Sequence, residues 1–441
     1  MEDAYIIKGG KALRGKIKLS GAKNVALKVI IAALLFDQKV IFDNIPRIID
    51  VFELMKLIRS LGGKAEFIGK NQVEIDGRGI NKERVDFFYS SKIRVSFMLM
   101  APLLYKFRRC YVPNPGGCRI GARPIDRTIA GMRQLGININ YDPLTGYYEA
   151  KMINKPRGTY KFEKSSHTGT ELLILISLFG QEKIIIDNAA QEPEIDDLIN
   201  FLNLSGARIK RINKKVVIEP VKTLSQKDPY SIISDRNEAV TYATLALATK
   251  GEVTIPAMKE FLISEFIKKL QQAGAGVKKL SNDGFHFYYQ NQLKSVDVET
   301  SPYPGFMTDW QPNWSVLMTQ AQGTSIIKER VFENRFAYVE ELRKLGAQID
   351  FIDLSVSQPE KYFFFNFDRQ KKYQQAIKIK GPQKLHSGVL NIADLRAGAN
   401  LVIAAFLTPD ETIVNGASIL ERGYEDFVEK VRSLNGEIKK I

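Results

Sequence analysis

A single thiol set among cations is the group in this sequence best suited to proton-transfer or covalent chemistry. Cys118 lies in the run Asn114-Pro115-Gly116-Gly117-Cys118-Arg119-Ile120-Gly121-Ala122-Arg123-Pro124. Glycines and prolines there impose an unusual backbone path. Arginines flank the thiol, and nearby positive charge lowers a cysteine pKa and raises its reactivity. The segment reads as a loop that presents a reactive sulfur to an anionic ligand. A small buried apolar filler is the bland alternative; the paired glycines and the arginines argue against it.

Other side chains with chemistry fall at two recurrent places. One is the start of a set of apolar helices, at Lys23, Asn24, Arg94, Asp235, Arg236, Asp309, Asp394 and Arg396. The other is the strand-to-helix loop, at Cys118, Arg123, Glu192, Arg335 and Arg422. Helix N-termini offer free N–H groups and a positive dipole end, so they hold anions. Taken singly, Asp235, Asp309 and Asp394 also read as N-caps, Arg335 as a solvated charge and Glu192 as a first-turn acid. Their recurrence at equivalent positions predicts a cleft rich in Arg and Lys with a few carboxylates.

The elements that must position these groups repeat at intervals of roughly 70 residues. Strand-like runs at Val40-Ile41-Phe42, Cys110-Tyr111-Val112, Ile184-Ile185-Ile186, Val253-Thr254-Ile255, Ser325-Ile326-Ile327 and Thr412-Ile413-Val414 each precede a helix. Those helices end at Gly62, Gly136, Gly206, Gly274, Gly346 and Gly436, where glycine takes the left-handed conformation cheaply. A second, more apolar helix completes each unit. These open at Ser20–Asn24, Ser90–Arg94, Ser165–Thr168, Ser234–Arg236, Thr308–Trp310 and Ala393–Arg396. Apolar residues run nearly all round them, as in Val95–Leu104 and Leu401–Phe406, so they are expected to be buried. The class is α/β. Three units make a lobe, with a first lobe over residues 22–233 and a second over 1–21 and 234–441. A longer last interval implies an added hairpin or loop around Leu354–Lys384.

At 441 residues the chain exceeds one compact core, which also favours two domains. A hydrophobic content of 44% without low-complexity tracts suits a folded globular protein. Met1-Glu2-Asp3 carries acids with no apolar run behind them, so no secretory leader is expected. Val25–Phe36 is too short for a membrane span. Two cysteines, Cys110 and Cys118, argue against a disulfide framework and for a reducing cytoplasm. His167, His286 and His386 lack zinc-ligand spacing, so no metal is expected. A net charge of +15 suits solubility or polyanionic small substrates. Nucleic acid is less favoured, because the basic residues are spread along the chain.

Several motifs then converge. Lys23-Asn24, Pro115-Gly116-Gly117-Cys118, Gly121-Ala122-Arg123-Pro124, Glu192-Pro193-Glu194, Thr308-Asp309, Phe332-Glu333-Asn334-Arg335, Asp394-Leu395-Arg396 and Arg422-Gly423-Tyr424-Glu425 follow one another along the chain. Together they resemble the UDP-N-acetylglucosamine 1-carboxyvinyltransferase family of enolpyruvyl transferases, over essentially the whole chain. The resemblance implies two inside-out α/β domains, each of three repeated β-α-β-α-β-β-type units with buried helices. It implies enolpyruvyl transfer from phosphoenolpyruvate to the 3-hydroxyl of UDP-N-acetylglucosamine, at the start of peptidoglycan precursor synthesis. No cofactor, nucleic acid or membrane insertion is implied, and a monomer is favoured.

The resemblance also distributes roles. Lys23, Arg123 and Arg422 are implied for the donor phosphate, Arg335 and Arg396 for its carboxylate, and Asn24 as support. Cys118 is implied as proton donor to C3 and Asp309 as acceptor of the sugar hydroxyl proton. Arg94, Arg123, Pro124, Ile125, Asp126 and Arg127 are implied as contacts of the nucleotide sugar. Lys164, Ser165, Ser166, His167, Asp309 and Val331 complete that set, with Asp235, Glu192 and Asp394 as lining or orienting groups. The chain departs from the family's common pattern at Ser166-His167-Thr168-Gly169, where Ser-Val-Gly-Ala is usual, and at Met307, where proline is usual. Transfer to shikimate 3-phosphate is the nearest rival, and a non-catalytic paralogue that binds nucleotide sugar or RNA is the other. Bound dianionic phosphate would push the Cys118 thiol pKa back up. Alkylation of Cys118 is therefore expected to be fastest without phosphoenolpyruvate; equal alkylation rates with and without it would contradict this.

Overall fold

The computed structural model describes residues 3–116 and 125–441. Cys118, Arg119, Arg123 and Pro124 lie outside the described residues. The described chain divides into two units, one of residues 21–116 and 125–233, the other of residues 3–20 and 234–441.

In the first of these, three small sheets surround three helices. One sheet orders Tyr230–Ser231, Val40–Asp43, Val73–Asp76 and Lys64–Phe67. The second orders Arg109–Pro113, Tyr147–Lys151 and Asn138–Asp142, and the third Arg208–Ile212, Lys215–Glu219, Ile184–Asp187 and Gly158–Lys161. The third shows the logic of the repeat. Ile184–Asp187 runs parallel to Gly158–Lys161 and antiparallel to Lys215–Glu219. A parallel pair needs a long crossover, and the helix His167–Ser177 supplies it. That helix is buried from Gly169 to Ser177, and Lys23–Ala33 is buried from Val25 to Ala33. A helix buried on all faces is expected to be apolar on all faces, and both sequences are nearly so, with Lys28 and Glu171 as the buried charges.

The second unit repeats the plan. Ala4–Lys8 sits between Glu411–Asn415 and Glu437–Lys440. Arg14–Lys16 runs parallel to Glu252–Pro256. Gly323–Lys328 pairs with Val298–Glu299 and Ala376–Gly381. The helices Arg236–Ala248, Gln311–Met318 and Leu395–Phe406 are buried at every residue. One-sided helices such as Ile49–Ser60 and Ser264–Gln272 cover the outside in each unit.

Five of the expected helix stops are left-handed glycines, Gly62, Gly136, Gly206, Gly274 and Gly346. At the sixth, Asn435 takes that conformation with φ 65°, and Gly436 does not; asparagine is the usual substitute for glycine there. Two further expectations are corrected. Of the expected opening Ser90–Arg94, the serines lie within Phe87–Lys92, which Asp86 caps, and only Arg94 opens the buried segment. The buried helix starts as a 3-10 segment, Arg94–Leu99, and continues as Met100–Phe107. The region 354–384, expected as an added hairpin or loop, is a loop up to Gln375 but ends in a strand of the repeat itself. Ala376–Gly381 within it is a central strand, because it pairs with both Gly323–Lys328 and Ile349–Phe351. The remainder is a loop with one helical turn, Pro359–Tyr362, closed by stacked rings of Phe363, Phe365 and Phe367 and by Tyr373.

Among the described residues no helix is long and apolar enough to cross a membrane. A Cβ added at Gly206 meets no atom within 4 Å, so Gly206→Ala is expected to cost only left-handed strain, about 1–2 kcal/mol. At Gly251 the added Cβ would lie 1.8 Å from the Leu13 carbonyl oxygen. Gly251→Ala is therefore expected to lower the urea midpoint further than Gly206→Ala does, and the reverse order would refute this packing.

Candidate active site

In the unit of residues 3–20 and 234–441, two acids at helix starts act as caps. Asp235 accepts from the Asn237 and Glu238 amides, and Asp394 from the Arg396 and Ala397 amides. Asp309 lies one residue before Trp310, the N-cap of the helix Gln311–Met318, a position without a side-chain cap. Its carboxylate instead sits between two guanidiniums. Arg335 Nη2 donates to Oδ1 at 2.8 Å, and Arg396 Nε lies 3.4 Å from Oδ2. Arg396 Nη2 is 4.0 Å from Asp235 Oδ2. Arg335 Nη1 donates to Thr308 Oγ1 at 2.8 Å. The structure thus brings Asp235, Asp309, Arg335 and Arg396 into one cluster.

Both arginines are buried, at 4% and 6% side-chain exposure, which selects strongly against an uncompensated charge. Burial works to lower the Arg335 pKa, but Asp309, Asp394 and Glu329 outweigh it and hold the group more firmly charged. Burial acts likewise on Arg396, and Tyr424, Asp235 and Asp309 outweigh it. Arg335 Nε and Arg396 Nη1 are buried and make no hydrogen bond. Two dry cations with unused N–H donors fit a planar carboxylate. Arg422 ends the helix Ala417–Glu421 and is half-buried. Val331 donates its amide to Glu329 Oε1 at 2.7 Å.

In the other unit, Lys23 begins the helix Lys23–Ala33, which lacks a side-chain cap, and Asn24 follows it. Lys23 Nζ is 2.8 Å from Asp50 Oδ2, so Asp50 orients it. Nothing in the sequence set Asp50 apart from an ordinary first-turn acid. Arg94 opens the 3-10 segment. Ile125 precedes the helix Asp126–Gln134, whose first residues are Asp126 and Arg127. Lys164 and Ser165 lead into Ser166, which caps Gly169, and His167 is the first helical residue.

Behind His167 lies a buried charge chain that sequence reasoning missed. His167 Nε2 is 3.2 Å from Glu171 Oε1, and Glu171 Oε2 is 3.3 Å from Lys28 Nζ. Lys28 and Glu171 join two of the buried helices. Both read as interruptions of apolar helices, which was the available signal. Glu192, at the start of Pro193–Leu204, is also buried, and its Oε2 is unpartnered. Cys110 is a free buried thiol whose pKa burial pushes up, unsuited to nucleophilic work. Among the described residues no group of His, Cys, Asp and Glu could hold a metal.

The chain matches the family described as EPSP synthase (3-phosphoshikimate 1-carboxyvinyltransferase) over residues 7–431. It belongs to the enolpyruvyl transferases. Relatives named UDP-N-acetylglucosamine 1-carboxyvinyltransferase include that of Thermodesulfovibrio yellowstonii, 36% identical with all of each chain covered. That of Halothermothrix orenii is 37% identical with 99% of each chain covered. Among solved structures, the enolpyruvyl transferase NikO of Streptomyces tendae superposes with a TM-score of 0.85 at 20% identity, covering 100% of this chain and 99% of that one. EPSP synthase of Acinetobacter baumannii gives a TM-score of 0.71 at 16% identity, covering 99% and 100%. These likenesses show the inside-out α/β fold of the enolpyruvyl transferases.

One consequence concerns pH. Burial works against a charged His167, but Glu171 and Glu192 outweigh it, so its pKa is held above the ordinary 6.5. A raised folded value gives stability that is full below the unfolded value and lost as pH rises through the folded one. Urea midpoints are expected to fall from about pH 6 to about pH 9, with part of the slope absent in His167→Gln. Parallel curves for the two proteins would contradict this.

Proposed function

We propose that this enolpyruvyl transferase moves the enolpyruvyl group of phosphoenolpyruvate to the 3-hydroxyl of UDP-N-acetylglucosamine and releases phosphate. In that reading it begins peptidoglycan precursor synthesis in the cytoplasm and so serves cell-wall growth, cell shape and division. The observation that carries the chemistry is the Asp309 carboxylate between Arg335 and Arg396, with two buried donors unused. The acceptor is supported by the full-length relatives named for it.

Arg335 and Arg396 grip the donor carboxylate. A substrate carboxylate that takes these guanidiniums draws them from Asp309, which then accepts the hydroxyl proton. The freed oxygen adds to C2, and C3 takes a proton from Cys118. The tetrahedral ketal then loses phosphate and a C3 proton, which restores the double bond. Lys23, Arg123 and Arg422 hold the departing phosphate, with Asn24 in support. Arg94, Pro124, Ile125, Asp126, Arg127, Lys164, Ser165, Ser166, His167 and Val331 serve the nucleotide sugar. The protein acts as a monomer and uses no cofactor.

The family's description favours a second reading, with shikimate 3-phosphate as acceptor. Phosphate release from phosphoenolpyruvate separates the two: turnover is expected with UDP-N-acetylglucosamine and not with shikimate 3-phosphate, and the opposite result overturns the reading. Arg335→Ala is expected to raise the KM for phosphoenolpyruvate at least about thirtyfold, since truncating a buried charged partner costs at least about 2 kcal/mol. Cys118→Ser is expected to lose most turnover. Cys118→Asp, which can also donate a proton, is expected to keep some and to resist thiol-directed epoxides.

A further inference from the structure

Glu329 has no exposed surface and follows the strand Gly323–Lys328. Its carboxylate accepts four hydrogen bonds. Oε1 accepts from Thr300 Oγ1 at 2.9 Å, the Val331 amide at 2.7 Å and the Phe332 amide at 3.1 Å. Oε2 accepts from Thr308 Oγ1 at 2.8 Å. Four is about the full acceptor capacity of a carboxylate. Gln375 secures the same loop from the other side. Its Nε2 donates to the Glu329 and Phe332 carbonyls, and its Oε1 accepts from the Asn334 amide at 2.6 Å.

A hydroxyl has one hydrogen. Thr308 gives it to Glu329, so only its lone pairs remain for Arg335, whose Nη1 donates to that oxygen at 2.8 Å. The polarity therefore runs from Arg335 through Thr308 to Glu329. Arg335 Nη2 meets Asp309, the residue after Thr308. One buried carboxylate thus sets both the loop that carries Arg335 and the hydroxyl against which its guanidinium rests.

We propose that Glu329 is a positioning residue that, through Thr308, holds Arg335 in the orientation that receives the donor carboxylate. This rests on the reading that Arg335 grips phosphoenolpyruvate. Glu329 also opposes the Arg335 charge across the hydroxyl. A pure charge effect and a positioning effect therefore differ in sign. Removing the Glu329 charge alone leaves Arg335 less neutralised and tightens anion binding. Losing the orientation weakens it.

Steady-state kinetics of the full-length protein, with thermal melts, decide the matter for Glu329→Gln, Thr308→Val, Thr308→Ser and Arg335→Ala. Glu329→Gln and the near-isosteric Thr308→Val are expected to raise the KM for phosphoenolpyruvate about tenfold, as loss of one charge-assisted hydrogen bond would. The acceptor KM in Thr308→Val is expected to stay within about twofold, and Thr308→Ser to recover most of the donor KM. If Glu329→Gln does not fold, Thr308→Val alone carries the test. An unchanged or lowered donor KM in folded Thr308→Val overturns the proposal, as does an equal rise in both KM values. An unchanged donor KM in Arg335→Ala overturns the functional reading instead.

Discussion

A guanidinium stays buried only where anions answer its charge. Arg335 and Arg396 are both buried and share the Asp309 carboxylate, with Asp394 and Glu329 adding negative charge around Arg335 and Asp235 around Arg396. Much of the surrounding structure follows from that arrangement. Asp309 stands one residue before Trp310, the N-cap of the helix Gln311–Met318, and turns its carboxylate to the arginines. Asp235 and Asp394 remain at their own helix starts as caps, and Asp235 adds charge near Arg396. Thr308 turns its oxygen to Arg335, and Glu329 gives that hydroxyl its acceptor.

The inside-out architecture explains why such charges sit deep in the unit. Burying whole helices hides their sides but leaves their N-terminal N–H groups to be satisfied. Polar residues gather at those ends because they are the polar part of an otherwise apolar element. The same constraint acts in the other unit. Lys28 and Glu171 interrupt apolar helices, and each is tolerable only beside the other. His167, partly exposed at the end of that chain, has a protonation state tied to the fold.

Local patterns were readable wherever a local cause acts. Each of the six strand-like runs is a strand or part of one, because short β-branched runs have few alternatives. Glycine stops were readable for the same reason, and Asn435 shows where the rule allows a substitute. Ser90-Ser91 misled because a serine pair suits a helix interior end as well as a cap. The strand Ala376–Gly381 was folded into an insertion because its pairing with Gly323–Lys328 and Ile349–Phe351 is made across intervening loops and leaves no local pattern. Asp50 and Glu329 carried no mark of their roles, since each role rests on a contact between separate chain segments, and Glu171 was marked only as a charge interrupting an apolar helix.

The sequence by itself determined the repeat, the α/β class, the buried character of the central helices and the residue types available for chemistry. These depend on spacing and composition, which are local. Tertiary structure decided which acids cap and which pair. Asp235, Asp309 and Asp394 look alike at their helix starts, yet only Asp309 is held between Arg335 and Arg396. That distinction depends on distances between segments that are separate in the chain, and the order of residues does not give those distances.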